Sequence, residues 1–307
     1  MQLILRKLSN ADKLKLYNET TFITSIDVNQ VDFPIVMLLS YSNGKFQVDE
    51  ESAGFVMPPK HLKFHLPEEI NPWLEKAKQH MKELQEDLEM KVLGFKGFGK
   101  GTIKTFKLSP DSFVQMAIQL AFFRLHGIPV ATYESGGTRV YKEGRTETIR
   151  SCSQESYDFT VKMMDENASD NDKYNALIKA IKGHNFYAKM ATSGYGCDRH
   201  LTGLKKAAVE NNLPLPDFFQ DPGYLKTIKM RLSTSQISGR NGGFTCYGPL
   251  QPDGYGTCYS VENDFINIAC SALKSCSETS VESMTAALEA SLNDIHDLCQ
   301  RQKQSNL

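Results

Sequence analysis

One helix is written into this sequence with both of its ends, and it sets the terms for the rest of the chain. Ser109 is a capping residue, Pro110 suits a first turn, and Asp111 favours the positive end of a helix. The pairs Phe113-Val114, Met116-Ala117, Leu120-Ala121 and Arg124-Leu125 carry the pattern forward until Gly127 stops it. Helical spacing recurs over 68–88 (Ile70, Trp73, Leu74, Ala77, Met81, Leu84, Leu88), near 154–165, 172–191 and 199–211. It returns over 278–302, where Val281, Met284, Leu288, Leu292, Ile295 and Leu298 form one stripe. Strand-like runs lie at Lys229–Ser235, Thr257–Val261 and Phe265–Ala272. Helices and strands mix without a strict βα repeat.

Composition narrows the classes. The 35 basic and 36 acidic side chains nearly cancel, and no basic block offers nucleic acid an electrostatic footprint. The longest apolar run, Phe33–Leu39, is far short of a membrane span. Seven cysteines, an odd number without CxxC spacing, fit free thiols in a reducing compartment and neither a disulfide scaffold nor zinc. His61 and His65 are four apart but lack a third ligand, so no metal site is expected. The turn-rich Asp49–Gly54 and Pro58-Pro59 suggest a boundary near residue 55. Leu3-Ile4-Leu5 is too short for a secretory core, and Asp12 and Glu19 depart from an import presequence.

Several polar motifs have both a plain and a chemical reading. Gly94–Gly101 nearly matches a phosphate loop. It has Gly101 where the hydroxyl should stand, and the next helix is expected only at Ser109, too far away to supply its N-terminus. Lys100, Lys104 and Lys107 beside those glycines form either a phosphate-holding cluster or a solvated turn. Thr132–Ser135 and Gly144–Arg150 read as loops, rich in hydroxyls, carboxylates and arginines. Asp198-Arg199-His200 opens a helix after the turn Ser193–Gly196. Each reads plainly as caps and surface ion pairs. In Leu232–Gln236, strand alternation puts Ser233 and Ser235 on one face, able to donate to a negative oxygen or to cap a strand end.

In order, Phe98-Gly99-Lys100, Leu108–Phe113, Thr132–Ser135, Gly144–Arg150, Asp198–Leu201, Leu232–Gln236 and Asp253–Gly256 resemble the C-terminal half of the choline/carnitine acyltransferase family, from about Val56 to Cys299. The resemblance implies a chloramphenicol-acetyltransferase-like α/β lobe with a mixed sheet flanked by helices, one of two lobes in such enzymes. Residues 1–55 would then be a divergent remnant of the N-terminal lobe, and 56–307 the C-terminal lobe. It implies reversible transfer of an acyl group between coenzyme A, a co-substrate and not a resident cofactor, and carnitine. By position, Lys100, Lys104 and Asp111 correspond to coenzyme A contacts. Tyr133, Thr146 and Arg199 correspond to the carnitine carboxylate site, and Ser233 to a further carnitine contact. Ser235 corresponds to the hydroxyl that stabilises the oxyanion, and Tyr247 to a ring beside the trimethylammonium group.

Carnitine carries a carboxylate and choline does not, so Arg199, where choline-specific members resemble Asp-Asn-His, favours carnitine. Thr146-Glu147-Thr148 points the same way. Thr245 falls where acetyl-specific members have a bulky Met and longer-chain members Gly, which suggests short- to medium-chain acyl groups. The family's general base is a histidine in HxxxEG or HxxxDG. None of His61, His65, His80, His126, His184, His200 or His296 begins such a pattern. Counting without gaps from Phe33–Leu39 puts that base at Asp27, much weaker near neutral pH. The expectation is therefore a truncated, inactive acyltransferase, with the alternative of a non-catalytic protein that binds coenzyme A, acyl-carnitine or a partner. An exposed lobe interface would favour self-association. The resemblance implies a mitochondrial, peroxisomal or cytoplasmic location. Ser305-Asn306-Leu307 resembles the peroxisomal ending without its middle cation.

Overall fold

A computed structural model describes residues 67–237 and 245–305, together with four short strands ahead of them. The chain divides into two compact units, Met1–Glu86 and Asp87–Leu307. In the first, β1 (Thr20–Ile23) pairs antiparallel with β2 (Val36–Leu39), and β3 (Tyr41–Ser42) with β4 (Lys45–Phe46). Helix α1 (Asn71–Asp87) has the expected periodicity, yet none of its residues is buried and Trp73 is 71% exposed. The expected boundary near residue 55, His61 and His65, and Asp27 lie outside the described residues.

The second unit is one six-stranded mixed sheet with its helices. In chain order its elements are β5 (Leu88–Phe95), α2 (Lys100–Thr105), α3 (Pro110–His126), β6 (Thr132–Gly137), β7 (Thr146–Ile149), α4 (Gln154–Met164) and α5 (Asp170–Met190). These are followed by α6 (Asp198–Glu210), α7 (Pro222–Ile228), β8 (Leu232–Gln236), β9 (Tyr255–Val261), β10 (Ile266–Leu273) and α8 (Val281–Ser305). The sheet order is β5-β10-β9-β8-β6-β7, with β8 parallel to both β6 and β9 and the other pairs antiparallel.

Helix α3 keeps its expected ends. The Ser109 hydroxyl accepts from the Ser112 N–H at 3.3 Å, and Gly127 closes the helix in the left-handed region at φ 69°. Every residue from Ser112 to Phe122 is buried, because α3 packs against α4, α5 and α8 as well as lying over the sheet. Leu232, Tyr255, Tyr259, Ile266 and Ile268 face it from the strands. Strand alternation then sends Tyr133, Ser135, Ser233, Ser235, Gly256 and Cys258 to the opposite face.

The structure corrects three local expectations. Thr132–Ser135 and much of Gly144–Arg150 are strands, not loops. Leu88–Phe95 forms β5, a strand that was not expected there. A helix also begins at Lys100, nine residues before Ser109. Its amides are not free for a phosphate, however. Lys100 N–H donates to Glu262 O at 2.7 Å and Gly101 N–H to Asn263 O at 2.9 Å. Gly99 is obligatory there, since a Cβ would lie 2.4 Å from Glu262 O.

Candidate substrate site

The face of the sheet away from α3 carries a row of hydroxyls. The parallel register sets Tyr133 opposite Ser233, and Ser233 and Ser235 opposite Gly256 and Cys258. Across the antiparallel pair, Ser135 stands opposite Thr148 and Gly137 opposite Thr146. Tyr133 OH lies 3.1 Å from Ser135 Oγ. Ser233 is buried and Ser235 half-buried, and Ser235 Oγ makes no hydrogen bond among the described residues.

Arg199, the second residue of α6, reaches over this row from the β7 edge. Its Nη2 donates to Tyr133 OH at 3.0 Å and Thr146 Oγ1 at 3.2 Å, and its Nε donates to Thr146 O at 3.2 Å. The guanidinium carbon is 5.8 Å from the Tyr133 ring centroid. All these partners are neutral acceptors. Among the described residues no carboxylate pairs with the Arg199 guanidinium, so its charge is uncompensated and exposed.

The start of α6 is held in place by residues that the sequence reading treated as caps and surface ion pairs. Arg150 grips Asp198 with two parallel bonds, Nε to Oδ2 at 3.0 Å and Nη2 to Oδ1 at 2.6 Å, and donates from Nη1 to Thr227 O at 2.9 Å. Glu147, buried, accepts from the Thr148 N–H at 2.6 Å and from the Arg199 N–H at 3.3 Å. Two pairs thus fix one exposed guanidinium.

Tyr247 lies on the same face. Its hydroxyl approaches Ser233 O at 2.9 Å and Thr257 O at 3.2 Å, and its carbonyl accepts from Ser271 Oγ at 2.5 Å. Burial raises the phenol pKa far above its ordinary value, so it stays neutral. Gly256 makes room for this segment, since a Cβ would meet Tyr247 O at 2.7 Å. Thr245 is exposed beside it, its backbone bonded to the Cys258 thiol. Burial pushes that thiol up to about 11, so it is no nucleophile at neutral pH. All seven cysteines are free thiols.

Lys100 and Lys104 share one face of α2, with Lys104 exposed. Asp111 turns instead into a polar cluster beneath β6, accepting from Tyr259 OH at 2.6 Å. There His184 Nε2 lies 2.7 Å from Glu134 Oε2, which also accepts from Ser151 Oγ at 2.5 Å. Burial, the Glu134 charge and a hydrogen bond to Glu134 raise the Asp111 carboxyl to about 6 despite the Tyr259 bond. Burial pushes the His184 imidazolium down, but the hydrogen bond and charge of Glu134 outweigh it and hold its pKa above the ordinary value. The other described histidines have other settings. His296 stacks on Phe98, His126 lies against Phe122, and His80 and His200 are exposed on helices.

The sequence profile of the Choline/Carnitine o-acyltransferase family matches residues 18–290. This chain belongs to that family. It is 41% identical to a carnitine O-acetyltransferase from Columba livia and 40% identical to one from Homo sapiens. Each match covers 277 residues, 89% of this chain and 44% of the relative. A choline O-acetyltransferase from Danio rerio is 38% identical over 267 residues, 86% of this chain and 42% of the relative. The chain therefore spans less than half the length of these curated relatives. Carnitine and choline enzymes are matched at nearly equal identity, so overall similarity does not separate the two substrates. Among the described residues, no helix is long and apolar enough to cross a membrane.

Proposed function

We propose that this chain carries the carnitine- and coenzyme A-holding site of a carnitine O-acyltransferase handling short- to medium-chain acyl groups. The observation that carries the proposal is Arg199. A fixed, exposed guanidinium on neutral acceptors is poised for a carboxylate, which carnitine has and choline lacks. Tyr133, Thr146 and Ser233 complete the carnitine side, and Tyr247 supplies an aromatic ring near the cationic end. Lys100 and Lys104 hold coenzyme A phosphates as point charges, whereas Asp111, turned into the cluster beneath β6, is left out of that contact. Thr245 borders the acyl chain.

In the transfer, the carnitine hydroxyl oxygen attacks the thioester carbon, the Ser235 hydroxyl donates to the oxyanion, and the C–S bond breaks to release coenzyme A thiol. The hydroxyl must first lose its proton. His184 is committed to Glu134 and Ser112 below the sheet, and no histidine of the sequence begins HxxxEG or HxxxDG. The chain on its own is therefore expected to bind both substrates with little turnover. Calorimetry with L-carnitine and with coenzyme A, run beside an acetyl-transfer assay, tests this. Saturable binding without appreciable turnover supports the reading. Absence of carnitine binding refutes the site, and rapid turnover refutes the statement about the base.

A further inference from the structure

We propose that Asp111, Glu134 and His184 are positioning residues: a proton-holding latch beneath β6 that sets Tyr133 and Ser135 for carnitine. The inference rests on the carnitine reading of the site face and extends it to residues that do not touch substrate. Glu134 lies between Tyr133 and Ser135, so its side chain points below the strand while theirs point above. Through Oε2 it joins β6 to His184 on α5 and to Ser151 just after β7. His184 Nδ1 then meets Ser112 Oγ at 2.8 Å, which ties in the first turn of α3. A second chain runs from Asp111 through Tyr259 OH to Gln115 Nε2 at 2.9 Å. From there it passes to Thr234 Oγ1 at 3.0 Å and back to Tyr133 O at 3.0 Å. The carbonyl of Tyr133 and the neighbouring Glu134 side chain are both held from below.

The network also fixes where protons sit. With the Asn185 amide oxygen accepting from Ser112 Oγ at 2.7 Å, that hydroxyl accepts from His184 Nδ1. His184 Nε2 faces a carboxylate oxygen, so both ring nitrogens carry protons and the ring is an imidazolium. An Asp111 carboxyl oxygen and a Glu134 carboxyl oxygen lie within 4.8 Å of each other in this cluster, and a proton on Asp111 removes the repulsion between the two charges. Asp111 is faced by Glu134 from β6, His184 from α5 and Tyr259 from β9, and His184 by Glu134 and Asp111. One atom from each of the three latch residues lies within 4.8 Å of the others. A metal fits poorly, because two zinc ligands sit about 3.3 Å apart in tetrahedral geometry, whereas Glu134 Oε2 and His184 Nε2 are 2.7 Å apart. Deprotonating Asp111 sets two buried carboxylates against each other and loosens β6.

The test uses the full chain, with Asp111→Asn and Glu134→Gln. Nitrogen NMR of the His184 ring near neutral pH is expected to show both nitrogens protonated in the parent, and a neutral ring in Glu134→Gln. Carnitine affinity by calorimetry is expected to weaken about fivefold or more as pH rises through the Asp111 titration, an ordinary size for coupling between sites. Asp111→Asn, which keeps the hydrogen bonds of the protonated form, should hold the low-pH affinity throughout. A neutral His184 in the parent, tight zinc binding, or the same pH profile in parent and Asp111→Asn would overturn the latch. If the parent binds no carnitine at any pH, the site reading fails, and the His184 signal alone decides the latch's protonation.

Discussion

Replacing Asp111 by Asn should make the protein more stable at neutral pH, although it removes a charge hydrogen-bonded to Tyr259. The folded chain holds the Asp111 carboxyl at about 6 against an unperturbed 3.8. Between those values the folded state keeps a proton that the unfolded state has lost. Stability therefore falls as pH rises across that window, and the cost is fully present above it. At about 1.4 kcal/mol for each unit of displacement, the cost approaches ~3 kcal/mol. Asn Oδ1 can accept from Tyr259 OH, and Asn Nδ2 can donate to Glu134 as the protonated acid does. The variant should gain about 1–3 kcal/mol near pH 7 and nothing near pH 4. Urea denaturation of parent and variant across that range measures it. A variant less stable than the parent at neutral pH, or a difference that does not change with pH, would refute the reasoning.

Asp198→Asn leaves the Arg150 fork half-paired. It should cost about 1–3 kcal/mol in chemical denaturation and also weaken carnitine binding, because the start of α6 carries Arg199. Gly256→Ala places a methyl 2.7 Å from Tyr247 O. It should destabilise by about 1–3 kcal/mol, seen as a lower melting temperature, with proteolysis increasing first in the segment around Tyr247. Tyr133→Phe removes the hydroxyl shared by Arg199 and Ser135, and carnitine binding should weaken by about 0.5–1.5 kcal/mol in calorimetry while the fold is kept.

Elements whose own residues state their ends were legible in the sequence. Ser109, Pro110 and Gly127 bracket α3, and the Val281–Leu298 stripe gives α8, because caps and periodicity are local. β6 and β7 were misread for a functional reason. Their alternation is not apolar against polar but polar on both faces, with Glu134 and Thr132 buried below and Tyr133 and Ser135 above. A site strand carries such a pattern, and propensity reads it as a loop. Helix α2 escaped notice because it is six residues long, contains Gly101, and has its first amides satisfied by Glu262 and Asn263, far away in sequence. The meeting of Arg199 with Tyr133 and Thr146 was reachable only through the family resemblance, since no spacing rule links positions so far apart. The support from Arg150 and Glu147, and the cluster below β6, became visible only in three dimensions.

The most direct test of the carnitine site is a displacement measurement with L-carnitine and choline on the parent and on Arg199→Asn. A carboxylate held by this guanidinium should give the parent about a tenfold or larger preference for carnitine, the size of one charged hydrogen bond. Arg199→Asn should erase that preference by weakening carnitine and leaving choline unchanged. Equal binding of the two ligands by the parent, or a preference that survives in Arg199→Asn, would contradict the assignment.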